Sequence, residues 1–175
     1  MKAALLLTIL VLAGCTSSPE PLADRGAAAI TPPITTMNQL VEWMQDKTES
    51  CDEVQPATRE QFTQFVGSQL AGLYEPFMAE WTTCSLSDSY PKVGLVLFKD
   101  LKAFQRSWRD AMTAGRVSDG PAFSFGNGFA VTAGFLGVSE LGLYYLRCDY
   151  DDPRVHQLPA DIDGCVFANP EHSHH

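Results

Sequence analysis

The stretch Val93-Gly94-Leu95-Val96-Leu97-Phe98 carries apolar residues on both of its alternating faces. Side chains of a strand point to opposite faces in turn, so a strand written this way is buried on both sides and lies inside its sheet. The cover has to come from helices, and three helical patterns surround it. Thr36-Met37-Asn38-Gln39 is a capping box, followed at helical spacing by Leu40, Val41 and Met44. A helix is predicted from Met37 to about Lys47. Thr58-Arg59-Glu60-Gln61 repeats the device and opens a second helix with Phe62, Phe65, Val66, Leu70 and Leu73 inward. Pro76 ends it, because proline lacks the donor and clashes with the preceding turn. Phe77 to Trp81 reads as a short irregular or helical piece. Asp100 caps a third helix whose stripe is Leu101, Phe104, Trp108, Ala111 and Met112, with Gly115 as its stop. Helices one and two are assigned to one face of the sheet and helix three to the other.

Phe123 to Thr132 is a hairpin, marked by Asn127-Gly128 between alternating apolar residues. Two registers compete. A two-residue loop sets Phe125 opposite Ala130 and puts Phe129 on the other face. A three-residue loop, Gly126-Asn127-Gly128, sets Phe125 opposite Phe129 and Phe123 opposite Val131. Only the second gathers the four large apolar residues on one face, so it is the expected register, with Gly128 left-handed. Leu143 to Cys148 reads as a further strand, and Asp149 to Gly164 as a polar loop closed by Cys165. The fold class is α+β: a small, mostly antiparallel sheet packed with about three helices and held by two disulfides.

The N-terminus bears on location. Lys2 precedes an apolar run from Ala3 to Ala13, too short to span a bilayer. A basic start, a short apolar segment and small residues at its end describe a secretory signal. Leu12-Ala13-Gly14-Cys15 closes that run and resembles the lipobox of bacterial lipoproteins. The resemblance implies a diacylglycerol on the Cys15 thiol, cleavage before Cys15 and acylation of the new amino group. Two or more acyl chains give stable anchoring where one is marginal. The expected organisation is a signal peptide over 1–14, a flexible tether over 15–35, a single domain over 36–170 and a disordered tail over 171–175. About 160 residues remain after cleavage, enough for one domain with a core.

Apart from Cys15 the cysteines are Cys51, Cys84, Cys148 and Cys165. An even number in an exported chain implies disulfides, and without a C-x-x-C pair a zinc site is not expected. Of the three connectivities, the sequence-local one is expected: Cys51–Cys84 and Cys148–Cys165. The net charge of −9 argues against nucleic acid as a partner.

A broader pattern runs from Met37 to Val131. A cysteine follows the first helix, then come a second cysteine, a strand ending in Phe98, a helix with internal Trp108 and the Gly126-Asn127-Gly128-Phe129 hairpin. This order resembles small secreted lipoproteins of actinobacteria and their phages. The Cys148–Cys165 segment lies outside the pattern.

No stretch carries a catalytic signature. Gly137-Val138-Ser139-Glu140-Leu141-Gly142 lacks the spacing of a nucleophile elbow. Asp149, Asp151, Asp152, Asp161 and Asp163 are hard oxygen donors of the type that binds calcium. Only a fragment of a calcium loop is present, and a solvated acidic loop is the reading adopted. His156 stands alone, and His172, His174 and His175 belong to the tail. Lys99, Lys102, Arg106 and Arg109 form a basic stripe of the kind that meets anionic headgroups or a wall polymer, but the solvated back of an amphipathic helix is the reading adopted. No metal or cofactor is assigned. The expected function is a membrane-anchored, non-enzymatic binding module on the extracytoplasmic face of a bacterial cell, with an envelope or protein ligand. The alternatives are a prophage-type superinfection-exclusion lipoprotein and an anchored envelope hydrolase.

Overall fold

The computed structural model of the chain describes residues 25–117, 122–132 and 136–170. Within them α1 (Met37–Thr48) leads to β1 (Asp52–Pro56), α2 (Arg59–Val66) and α3 (Ser68–Tyr74). A 3-10 turn at Glu75–Phe77 enters β2 (Met78–Ser85). Then follow β3 (Val93–Phe98), α4 (Leu101–Thr113), β4 (Phe123–Phe125) and β5 (Phe129–Thr132). A π-helical turn at Leu136–Glu140 precedes β6 (Tyr145–Cys148), β7 (His156–Pro159) and β8 (Cys165–Asn169). The fold is α+β, with two antiparallel sheets ordered β1-β2-β3-β5-β4 and β6-β8-β7. A bridge between Phe125 and Tyr144 links them.

β3 is the middle strand of the larger sheet and every one of its residues is buried. Val93, Leu95 and Leu97 join Leu40, Met44 and Phe129 in one apolar cluster. Val96 and Phe98 join Phe62, Tyr74, Phe104 and Trp108 in the other. The helices therefore divide differently from the expectation. α1 covers one face, and α2, α3 and α4 share the other. The strand β1 explains the exchange. All of its residues are exposed and show no apolar alternation, so it left no pattern in the sequence, yet it carries the chain past the sheet edge between α1 and α2.

The capping boxes at Thr36 and Thr58 are both formed, and Asp100 caps α4. The second helix is two helices. Gly67 at φ 85° breaks it, although Phe65, Val66, Leu70 and Leu73 on either side pack on the same cluster. The segment after Pro76 is the strand β2. Within the supposed loop from Asp149 to Gly164 lies the strand β7.

The hairpin takes the other register. Phe125 pairs with Ala130, Ser124 with Val131 and Phe123 with Thr132. Phe123 and Phe125 lie in the cluster under α4, whereas Phe129 and Val131 lie in the cluster under α1. The premise of a single buried face fails because both faces are covered. Gly128 is left-handed as expected, at φ 91°. Gly126 leaves the room that the Phe129 ring fills: a Cβ there would come within 2.3 Å of it.

The tether expected over 15–35 is not loose throughout. Gly26–Ala29 forms a 3-10 turn with Gly26 and Ala27 buried, and Ile34 is buried too. Ile34 N–H donates to the Asn127 carbonyl at 3.0 Å, and Asn127 N–H donates to Thr31 Oγ1 at 2.9 Å. Residues 25–35 thus strap the hairpin tip to the domain.

Candidate functional site

Cys15 with its lipobox, and the histidines at 172, 174 and 175, lie outside the described residues. The other four cysteines form Cys51–Cys84 and Cys148–Cys165. The first joins the residue just before β1 to β2 beneath α1, and the second joins the paired residues of β6 and β8.

The acidic residues of the last segment disperse. Asp161 Oδ2 accepts from Gln105 Nε2 at 2.6 Å and from Ala27 N at 3.4 Å. Asp152 pairs with Arg154 at 2.9 Å, and this bond holds its carboxyl at about 2. The Asp163 carbonyl accepts from Arg109 Nη1 at 3.1 Å. Asp149 and Asp151 are exposed. Among the described residues no three acidic, His or Cys side chains converge on a metal-sized position. Asp161 works as a structural acceptor, a role its acidic neighbours obscured in the sequence. His156 Nδ1 and the Tyr144 hydroxyl are hydrogen-bonded at 3.0 Å, and burial raises the Tyr144 pKa. Ser139 sits in the π-helical turn with its hydroxyl buried and no partner among the described residues. Of the basic stripe, Arg109 is engaged by Asp163 and Asp110, while Lys99, Lys102 and Arg106 are exposed.

Sequence patterns did not single out one groove beside β2. β1 ends at Pro56, opposite Thr82, and Ala57 N–H then donates to the Trp81 carbonyl at 3.3 Å. At Thr58 the chain turns into α2. β2 begins earlier, at Met78, so its Met78–Trp81 stretch is paired with β3 but has no strand on its other side among the described residues. A groove of about 690 Å³ lies there. Met78, Ala79 and Trp81 line it from the strand, and Phe62, Gly72 and Pro76 from the helical side. The Trp81 ring packs over Gly94, where a Cβ would come within 2.5 Å of it. Its indole N–H is buried without a partner among the described residues.

Three charges rim the groove. Arg59 is paired with Glu75, and that bond raises the Arg59 pKa. Glu80 is exposed and carries no ion pair among the described residues. Beside them Glu60 is held below the usual carboxylate range, first by its own backbone N–H in the opening turn of α2 and then by Thr58. At neutral pH the rim is therefore net acidic over an apolar floor. Such a site suits binding through shape, backbone hydrogen bonds and charge.

No protein-family model, curated protein or solved structure matches this chain.

Proposed function

We propose that the chain is a lipid-anchored binding module of the bacterial cell envelope, tethered through Cys15, with the domain facing outward and the groove beside Met78–Trp81 as its contact surface. The observation that carries the anchor is Leu12-Ala13-Gly14-Cys15 at the end of a short apolar run opened by Lys2. Two disulfides in a domain of this size suit an oxidising compartment. No helix among the described residues is long and apolar enough to cross a membrane, and the lipid supplies the attachment in this reading.

Cells expressing the protein are labelled with a fatty-acid analogue, with Cys15→Ser alongside. Label on the parent and none on the variant is expected. Label that persists in Cys15→Ser rejects the anchor. A photoreactive residue at Glu80 tests the contact surface in the same cells. An adduct formed at Glu80, but not at exposed Asp88 in the β2–β3 turn, is expected. Equal adducts at both positions, or none, reject the groove.

A further inference from the structure

The groove lies where an additional strand would run. β1 pairs with β2 from Asp52 to Pro56 and then stops, while β2 extends beyond it as far as Met78. A strand edge left in this state offers main-chain donors and acceptors to an incoming chain, and proteins usually blunt such edges. The outer strand β1 is blunted in three ways. It has a register shift between Asp52 and Gln55, a left-handed Glu53 and a terminal Pro56. The Met78–Trp81 stretch carries only a shift near Ala79, made in its pairing with β3. Ala79 and Glu80 are exposed.

We propose that this groove takes an extended peptide segment of a partner protein by strand addition at Met78–Glu80, with an apolar side chain toward Pro76 and Met78 and a lysine or arginine toward Glu80. The inference rests on the binding-module reading and specifies its partner. In strand addition the main chain supplies affinity, and pockets for alternate side chains supply specificity. The groove has both parts: a strand edge with no neighbouring strand from Met78 to Glu80, Trp81 already giving its carbonyl to Ala57, and an apolar floor. Charge selects the sign of the partner. Arg59 is neutralised by Glu75, Glu80 is free of an ion pair among the described residues, and the whole chain carries −9. A basic segment is steered in and an acidic one repelled.

The test uses the full chain in neutral detergent and fluorescent, end-capped nonapeptides read by anisotropy. One alternates valine and lysine, and one alternates valine and glutamate. Two further valine–lysine peptides are N-methylated on every second residue, one in each phase. The valine–lysine peptide should bind saturably and at least tenfold tighter than valine–glutamate. At least one N-methylated phase should lose tenfold or more, because it lacks the donors facing β2. Gly72→Trp places an indole in the groove at a position where a Cβ meets nothing within 4 Å, so binding should disappear with the melting temperature kept. Glu80→Lys should invert the preference between lysine and glutamate. If Gly72→Trp lowers the melting temperature, Glu80→Lys decides, since its side chain is exposed. No binding of the valine–lysine peptide overturns the proposal. Full binding by both N-methylated phases does so too, as does a charge preference unmoved by Glu80→Lys. If the chain instead dimerises and Gly72→Trp abolishes the dimer, the occupant is a second copy and the partner proposed here is wrong. None of these readings depends on lipid at Cys15, so failure of the anchor and failure of strand addition are separable.

Discussion

At the hairpin tip, neighbouring residues differ sharply in how much they are constrained. Gly128 is left-handed, and a Cβ on it would come within 2.6 Å of the Ile34 carbonyl oxygen. Gly128→Val should therefore cost at least about 3 kcal/mol, about 1 to 2 of it from the left-handed backbone and the rest from pushing the strap away. Asn127 binds the strap through its backbone N–H and carbonyl. Asn127→Ala should stay within about 0.5 kcal/mol, read by urea denaturation. The two phenylalanines flanking the turn supply a second prediction. Phe125 stacks near Phe98 and Phe104, and Phe129 meets Trp43 at 5.0 Å across the sheet from them. Each alanine substitution should cost about 3 to 5 kcal/mol. Their double-mutant cycle should show less than about 0.5 kcal/mol of coupling, whereas Phe129 with Trp43 should show about 0.5 to 1.5. Strong coupling of Phe125 to Phe129 would contradict the observed register.

The helices and strands test different physics. Gly67 separates α2 from α3 at φ 85°, in space that is open around its Cβ position. Its ψ of 154° puts it in a region used essentially by glycine alone, so Gly67→Ala should cost about 1 to 3 kcal/mol from backbone strain alone. Gly72, inside α3 and equally unobstructed, should respond oppositely: Gly72→Ala should gain up to about 1 kcal/mol. Thermal melting of the two variants, one down and one up, checks both assignments. The disulfides act on the unfolded chain. They close loops of 33 and 17 residues in sequence separation. The chain-entropy relation gives about 4 kcal/mol for the first and about 3 for the second. Paired alanine substitutions at Cys51 and Cys84, and at Cys148 and Cys165, should lower stability in that order in guanidinium titrations. The reverse order would place the main effect in the folded state.

Across the whole molecule, Asp161 joins segments far apart in sequence. Gln105, fully buried on α4, donates to its carboxylate and accepts its backbone N–H at 3.0 Å, while Ala27 of the strap donates to the same carboxylate. Gln105→Leu removes both of its bonds and leaves a part-buried carboxylate short of a donor. It should cost about 2 to 3 kcal/mol by chemical denaturation. Hydrogen exchange should also speed up in residues 25–35, which a purely local defect in α4 would leave unchanged. Contacts of this kind show why legibility stops where it does. The capping boxes at Thr36 and Thr58, the doubly buried run Val93–Phe98 and the left-handed Gly128 are properties of short segments, and local stereochemistry was enough to read them, while the cysteine pairing followed proximity along the chain. The face taken by each helix, the hairpin register and the strand lane beside Met78 depend on what lies on the far side of the sheet. β1, exposed throughout and without alternation, changes the face assignment yet carries no pattern to read. The hairpin register was decided by cover on both faces, which relieves four large apolar residues of sharing one. The groove exists because β1 stops short of the start of β2, a mismatch in the lengths of two paired strands. Periodicity reports whether a side chain is buried, but burial alone does not say against which neighbour, and that choice belongs to the packing of the whole chain.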